Sequence, residues 1–200
     1  MTEKQNIILC GFMGCGKSTV GPLLAGMSGR KFVDMDSYIE QHAGKTVSAI
    51  FAEDGEPHFR ALEREACAVL AAQSGLVIAA GGGTLVQQGN ADILRKTGVI
   101  VLLDASLDTL QKRLAHDTTR PLLQKPNRAA VIAELLSQRL PLYRNASDFS
   151  AAADSAPEEV AGEILNRLSE SPLQNPKDAR WFCRNFAFSC KSEDNRKIFG

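Results

Sequence analysis

Short apolar runs alternate along the chain with segments of helical periodicity. The runs Ile7–Cys10, Leu76–Ala80 and Val99–Leu103 are apolar at every position, which is typical of parallel strands that are covered on both faces. Weaker strand patterns lie at Lys31–Asp34 and Ser147–Ala151. The order of strands and helices predicts an α/β fold, in which a doubly wound parallel sheet of about five strands forms the middle of three layers.

Apolar residues recur at helical spacing between these strands. The predicted helices cover residues 18–27, 37–43, 46–52, a longer stretch starting near residue 55, a stretch capped by Ser106, 129–139 and 157–168. The buried face of the long helix is predicted to comprise Leu62, Ala66, Val69 and Leu70. The polar stretch 116–127 contains two prolines and is predicted to be a mobile loop.

The 200-residue chain has two regions of different character. Residues 1–170 contain every predicted strand and helix, whereas residues 171–200 are broken by prolines and lack clear periodicity. We expect one domain, 1–170, followed by a disordered extension, 171–200. A helix that docks through Trp181 and Phe182 is the alternative for the extension, because large aromatic side chains are costly to leave in water.

Charge and cysteine content narrow the classes of function. Lys and Arg number 23, as do Asp and Glu, so the formal net charge is zero. Proteins that bind nucleic acids or membrane surfaces usually have a basic bias, so neither partner is expected. The five cysteines are scattered and form no C-x-x-C pair, which favours reduced thiols. The expectation is a cytoplasmic monomer.

The segment after the first strand contains the pattern Gly11-x-x-x-x-Gly16-Lys17-Ser18. Glycines at this spacing let several backbone N–H groups converge on phosphate at the positive end of the following helix. In such loops the lysine reaches the β- and γ-phosphates and the hydroxyl holds Mg²⁺. The pattern predicts a phosphate-binding loop for a nucleotide, and by itself it does not separate kinases from GTPases or motor ATPases.

Asp34 and Asp36 follow the second predicted strand. Residues two apart in an extended chain point to the same side, so the pair can divide its roles beside a bound nucleotide. One carboxylate can support Mg²⁺ while the other serves the hydroxyl that accepts the phosphoryl group. A solvated acidic pair that caps the next helix is the alternative.

Glycines and arginines supply further candidates. The triplet 81–83 follows a buried strand, where ligands of parallel sheets bind, and its alternative is a flexible turn. Arg60 and Arg139 can each grip a carboxylate through paired hydrogen bonds, or pair instead with helix neighbours such as Glu63. Arg120, within the stretch 116–127, can close over a transferring phosphoryl group or remain an ordinary solvated charge.

Six motifs resemble those of the shikimate kinase family in order and spacing: GFMGCGKSTVG, FVDMDSYIE, IFAEDGEPHFRALE, VIAAGGG, RPLL and RLPLYRNASD. The resemblance implies a P-loop kinase fold of the nucleoside monophosphate kinase type. It also implies ATP-dependent phosphorylation of the shikimate 3-hydroxyl, giving shikimate 3-phosphate and ADP, in aromatic amino acid (chorismate) biosynthesis. An acceptor-binding section near 33–60 and a lid near 116–127 are expected on the same ground.

The resemblance further implies roles for individual residues. The expected ATP contacts are Gly14, Cys15, Gly16, Lys17, Ser18, Thr19, Arg113 and Arg120, with Arg113 stacked on adenine. The expected shikimate contacts are Asp36, Arg60, Gly81, Gly82, Gly83 and Arg139. Asp36, Lys17 and Arg120 are the expected catalytic residues, and Mg²⁺ is expected on Ser18 and Asp34.

Cys15 departs from the serine or alanine that is commoner in this family. The converging N–H groups and Lys17 favour a thiolate, so Cys15 is predicted to be the most reactive thiol if its side chain is accessible. The alternative is an inward-pointing, inert side chain.

Two rival functions remain on sequence alone. A gluconate kinase also phosphorylates a carboxylated polyol, but the FRxxE and RxPLY motifs argue against it. A nucleotide-dependent switch without an acceptor leaves Arg60, Arg139 and the glycine triplet unexplained.

Overall fold

A five-stranded sheet forms the centre of the computed structural model. The strands are β1 (Asn6–Cys10), β2 (Lys31–Asp34), β3 (Leu76–Ala79), β4 (Gly98–Asp104) and β5 (Phe149–Ala152). The helices are α1 (Lys17–Ser28), α2 (Met35–Ala43), α3 (Val47–Glu53), α4 (Gly55–Ala71), α5 (Asn90–Arg95), α6 (Leu107–Leu114), α7 (Arg128–Ala146) and α8 (Pro157–Ser169). A 3₁₀ turn covers Thr84–Val86.

The structure describes residues 5–115, 117 and 127–169. The predicted extension 171–200 and nearly all of the predicted loop 116–127 therefore lie outside the described residues. Every described residue up to Arg167 belongs to one compact unit. None of the described helices has the length and apolar composition that a membrane crossing requires.

The strand order across the sheet is β2–β3–β1–β4–β5, and every neighbouring pair is parallel. Ile8 in the central strand lies beside Ile78 on one side and Ile100 on the other. All residues of β1 and β3 are buried, which requires cover on both faces of the sheet. The predicted α/β fold with a doubly wound parallel sheet is confirmed.

The connections reverse direction beside the central strand. After β1 the chain passes β3 to reach β2 at the edge, and after β3 it returns past β1 to β4. Ligands of such sheets bind at the carboxyl ends of the strands, at the point of reversal. The glycine-rich loop after β1, Asp34 at the end of β2 and the glycine triplet after β3 are thereby brought to one edge of the sheet.

Helix α1 approaches β2 closely through a glycine. A Cβ atom on Gly21 would lie 2.2 Å from Cε2 of the Phe32 ring, so this position has no room for a side chain. The helix ends at Gly29, whose φ of 60° is a left-handed conformation that glycine adopts readily. Glycine thus fixes both the packing and the end of α1.

Helices α4 and α7 differ from their predictions. Val69 is 41% exposed, and the buried face of α4 runs instead through Phe59, Glu63, Ala66, Cys67 and Leu70. Helix α7 continues through Pro141, although it was predicted to end near residue 139, because Tyr143 and Ala146 on its last turns are buried. Helix α5 and the 3₁₀ turn were not predicted.

Candidate active site

The glycine-rich pattern forms the turn between β1 and α1. Gly11, Gly14 and Gly16 have φ values of 137°, 78° and 104°, conformations that favour glycine. The ammonium group of Lys17 donates hydrogen bonds to the carbonyl oxygens of Gly11 at 2.9 Å and Phe12 at 3.2 Å. The loop therefore curls around the ammonium group of Lys17 at the start of α1.

Cys15 is buried within this loop. The residue is 1% exposed, and a Cβ atom on Gly11 would lie 2.9 Å from its sulfur. Nζ of Lys17 lies 3.6 Å from the same sulfur. Reactivity was predicted only for an accessible side chain, and this condition is not met, so the structure favours the inert alternative.

Asp34 uses its two carboxylate oxygens differently. Oδ1 accepts hydrogen bonds from the backbone N–H groups of Asp36 at 3.1 Å and Ser37 at 3.3 Å, which caps α2. Oδ2 accepts a hydrogen bond from the Ser18 hydroxyl at 3.1 Å. Helix capping and pairing with the phosphate-loop serine therefore coexist in one carboxylate.

Asp36 lies in the first turn of α2, beside the glycine triplet. A Cβ atom on Gly81 would lie 2.7 Å from Oδ1 of Asp36. Burial raises the pKa of Asp36 to about 6; the charges of Asp34 and Glu63 add to the rise, and Lys17 opposes it. A carboxylate with a pKa in this range can accept a proton from a hydroxyl group near neutral pH.

Glu63 is a buried carboxylate that the sequence suggested only as a surface partner of arginine. It is 1% exposed; Oε1 accepts from the Thr84 hydroxyl at 2.6 Å, and Oε2 accepts from Nη1 of Arg60 at 2.5 Å. Arg60 also donates to Glu56 through Nε and Nη2. Arg60 therefore pairs with its helix neighbours, and one of them is fixed inside the protein.

The glycine triplet is packed tightly against this network. A Cβ atom on Gly81 would lie 2.9 Å from Oγ1 of Thr84, and one on Gly83 would lie 2.7 Å from Nη1 of Arg60. Real Cβ atoms do not approach other heavy atoms this closely. A side chain at Gly81 or Gly83 would therefore have to displace these neighbouring side chains, whereas a Cβ atom on Gly82 would meet only the Tyr143 hydroxyl, at 4.0 Å.

Tyr143 connects the triplet to α7. Its hydroxyl donates a hydrogen bond to the carbonyl oxygen of Gly82. Burial raises the pKa of Tyr143, while the charge of Arg139 acts in the opposite direction. Arg139 is thus electrostatically coupled to the tyrosine that touches the triplet.

A cavity of about 500 Å³ opens at this edge of the sheet. The predicted site residues that line it are Gly14, Cys15, Gly16, Lys17, Ser18, Thr19, Asp34, Asp36, Gly81, Gly82 and Arg113. Sequence reasoning missed Ala153, Ser155 and Pro157, which also line it and whose signal was their position after the carboxyl end of the last strand. Arg60, Gly83 and Arg139 are not among the lining residues, and Arg120 lies outside the described residues.

A phosphate-binding loop on the central strand, with carboxylates and a glycine triplet on the neighbouring strands, defines a kinase of the P-loop class. The family model "Shikimate kinase" matches residues 13–169. A shikimate kinase from Pseudomonas paraeruginosa is 44% identical over 168 residues, which are 84% of this chain and 98% of that protein. This chain belongs to the shikimate kinase family.

Solved structures of the same family share the fold. Shikimate kinase from Acinetobacter baumannii in complex with shikimate has a TM-score of 0.77 and 36% identity, covering 82% of this chain and 93% of that one. Shikimate kinase from Bacteroides thetaiotaomicron has a TM-score of 0.76 and 32% identity, covering 83% and 99% respectively.

Proposed function

We propose that this chain transfers the γ-phosphoryl group of ATP to the 3-hydroxyl of shikimate, giving shikimate 3-phosphate and ADP, a step in aromatic amino acid (chorismate) biosynthesis. The observation that carries the proposal is that Asp36 lines the same cavity as the phosphate loop, in a member of this family. The relative from A. baumannii in complex with shikimate supports the choice of acceptor.

In this proposal the loop binds the phosphates of ATP. Backbone N–H groups between residues 14 and 19 receive the phosphate oxygens, and the ammonium group of Lys17 reaches the β- and γ-phosphates. Two carbonyl oxygens hold that ammonium group inside the loop, so its position is fixed before a phosphate binds. Arg113 stacks on the adenine, and Arg120 neutralises the transferring group.

Ser18 and Asp34 would hold the Mg²⁺ ion that accompanies ATP. Their side-chain oxygens lie 3.1 Å apart, both residues line the cavity, and oxygen donors are the ligands that Mg²⁺ prefers. When bound, Mg²⁺ neutralises charge that develops on the phosphates. Because Asp34 also caps α2, its position and that of Asp36 are fixed together.

Arg60 and Arg139 bind the carboxylate of shikimate, and the triplet 81–83 lies against its ring. The proximity of Arg60 to Gly83 and the coupling of Arg139 to Tyr143 support a common position for both arginines beside the triplet. Glu63 holds the guanidinium of Arg60 from the protein interior, since the Glu63 carboxylate is buried.

Asp36 orients the 3-hydroxyl and accepts its proton. The hydroxyl oxygen forms a bond to the γ-phosphorus while the bond from that phosphorus to the β–γ bridging oxygen breaks, and ADP leaves with the bonding electron pair. Phosphoryl transfer depends mainly on positioning and charge neutralisation. A pKa of about 6 leaves Asp36 ionised at pH 7 to 8, ready to take the proton.

We also propose a cytoplasmic monomer without nucleic-acid or membrane partners, in which residues 1–170 form the catalytic domain. The formal net charge of zero supports the absence of a nucleic-acid partner.

Release of ADP from ATP tests the proposed reaction when it is measured with shikimate, with gluconate and without an acceptor. ADP release is expected only with shikimate, and phosphorus NMR should identify the 3-phosphate. ADP release with gluconate would show that gluconate, and not shikimate, is the acceptor. Equal ADP release without any acceptor would indicate a nucleotide hydrolase. Lys17→Ala, prepared identically, measures the background from contaminating enzymes.

A further inference from the structure

Two elements outside the phosphate loop share the walls of the cavity. Helix α6 contributes Arg113, and the segment 153–157 contributes Ala153, Ser155 and Pro157. If the phosphates of a nucleotide occupy the loop, the part of the cavity between these two walls receives the rest of the molecule. The distance between α6 and the segment 153–157 then controls how well the nucleoside fits.

Asp154 joins these two walls, although its own side chain is not part of the cavity lining. Its Oδ1 accepts a hydrogen bond from the backbone N–H of Ser106 at 2.9 Å and another from the Ser106 hydroxyl at 2.9 Å. Ser106 is the N-cap of α6, and its Oγ accepts from the backbone N–H of Thr109 at 3.2 Å. One carboxylate therefore ties the segment 153–157 to the first turn of α6.

Helix α6 also contacts the phosphate loop. Arg113, one turn beyond Thr109, donates through Nη1 to the carbonyl oxygens of Gly14 at 3.4 Å and Cys15 at 3.3 Å. Hydrogen bonds from Thr109 and Ser106 lower the pKa of Asp154, and the charge of Arg113 acts in the same direction. Asp154 is exposed, and its carboxylate acts on α6 chiefly through these hydrogen bonds.

We propose that Asp154 is a positioning residue for the nucleotide: by holding Ser106, it sets the gap between Arg113 and the segment 153–157 in which the nucleoside part of ATP lies. The proposal rests on the proposed function, because it assumes that the cavity binds ATP. Asp154 takes no part in phosphoryl transfer or in shikimate binding. Its removal should widen the gap between α6 and the segment 153–157, while the hydrogen bonds from Lys17 to Gly11 and Phe12 still hold the phosphate loop.

Binding of Mg²⁺-ADP and of Mg²⁺-tripolyphosphate, both measured by calorimetry, separates the two parts of the cavity. Asp154→Ala should weaken ADP binding and raise the KM for ATP by about 10-fold, because two hydrogen bonds to a charged group are lost. Tripolyphosphate affinity, kcat and the KM for shikimate should stay within about 2-fold. Asp154→Asn keeps the accepting oxygen and should restore most of the ADP affinity.

Asp108→Ala is the matched control, since it removes one carboxylate from the first turn of the same helix. The side chain of Asp108 is 73% exposed and pairs with Lys112. This substitution should leave ADP affinity unchanged. Ser106→Ala repeats the test from the other side of the contact if Asp154→Ala does not fold, and it should weaken ADP binding by about 3-fold.

Unchanged ADP affinity in Asp154→Ala would overturn the proposal, as would an equal loss of ADP and tripolyphosphate affinity, which indicates general damage to the site. An effect of Asp108→Ala as large as that of Asp154→Ala would also overturn it, because charge alone would then explain the result. If the unmodified chain bound neither ADP nor tripolyphosphate, the proposed function itself would fail.

Discussion

Asp36 is a buried carboxylate, and burial is the main reason why its ionised form is unfavourable; the charges of Asp34 and Glu63 add to this effect. Its pKa is about 6 in the folded protein against an ordinary value of 3.8, so between these values the folded state binds more protons than the unfolded state. Stability therefore falls as pH rises through this window, and the loss persists above pH 6.

Asp36→Asn should remove this loss of stability, because asparagine does not ionise. It should also prevent residue 36 from accepting the proton of the acceptor hydroxyl. We expect the free energy of unfolding at pH 7.5 to rise by about 1–3 kcal/mol, and to change little at pH 4. Turnover should fall by at least about 10²-fold. Urea unfolding at both pH values, beside Asp108→Asn as a surface control, measures the first effect; equal stabilisation at both would contradict the assigned cause.

Arg60 and Arg139 are expected to bind the acceptor carboxylate. Replacing either with Ala should weaken shikimate binding by about 2–5 kcal/mol, because the carboxylate loses a charged partner, and should affect ATP binding much less. Arg64→Ala is a control on the same helix, since Arg64 is exposed and donates to the backbone oxygen of Gln88. Calorimetric titration with shikimate measures the affinity of each folded variant. Normal affinity in both variants would show that neither arginine binds the acceptor.

At the scale of secondary-structure elements, the contact between α1 and β2 depends on one glycine. Gly21→Ala should destabilise the protein by about 1–3 kcal/mol, because the added methyl group would overlap the Phe32 ring. Gly26→Ala in the same helix meets no atom within 4 Å and should stabilise it by about 0.5–1 kcal/mol. Urea unfolding compares the two, and a stable Gly21→Ala variant would show that β2 can move away.

The elements show what periodicity can and cannot predict. Continuous apolar runs located the three central strands to within one residue at each end, because strands buried on both faces have few alternatives. The burial of Glu63 was missed because a charged residue breaks an apolar pattern, although it lies four residues from Phe59 and three from Ala66. Arg60 is a partner on the same helix, but the second partner, Thr84, comes from another part of the chain, which local sequence does not reveal.

The parts of the candidate site that consist of residues close in sequence could be predicted. The parts that bring together residues distant in sequence could not. The phosphate loop and the pair Asp34 and Asp36 are local motifs, and the structure brings them into one cavity. Ser155 and Pro157 belong to no such motif. They reach the cavity because they follow β5, which lies beside β4 in the sheet. The end of α7 was missed because tertiary burial of Tyr143 outweighs the helix-breaking tendency of Pro141.

At the scale of the whole molecule, the family match and the last described helix end at the same residue, Ser169. Deleting residues 171–200 should leave kcat/KM within about 2-fold, and Tm within about 2 °C, if they contribute no more than typical surface residues. Activity assays and thermal unfolding of the shortened chain provide the measurement. A Tm lower by more than about 5 °C would instead favour an extension that docks on the domain.

The burial of Cys15 has a consequence for inhibitor chemistry. A nucleotide analogue that carries an electrophile is a common design where a cysteine lines a phosphate site, because a covalent bond can then compete with cellular ATP. Such a warhead needs an open line of approach to the sulfur, and the sulfur of Cys15 is enclosed by the loop itself. An electrophile aimed at this thiol therefore lacks an open approach, in spite of the position of the thiol in the phosphate loop.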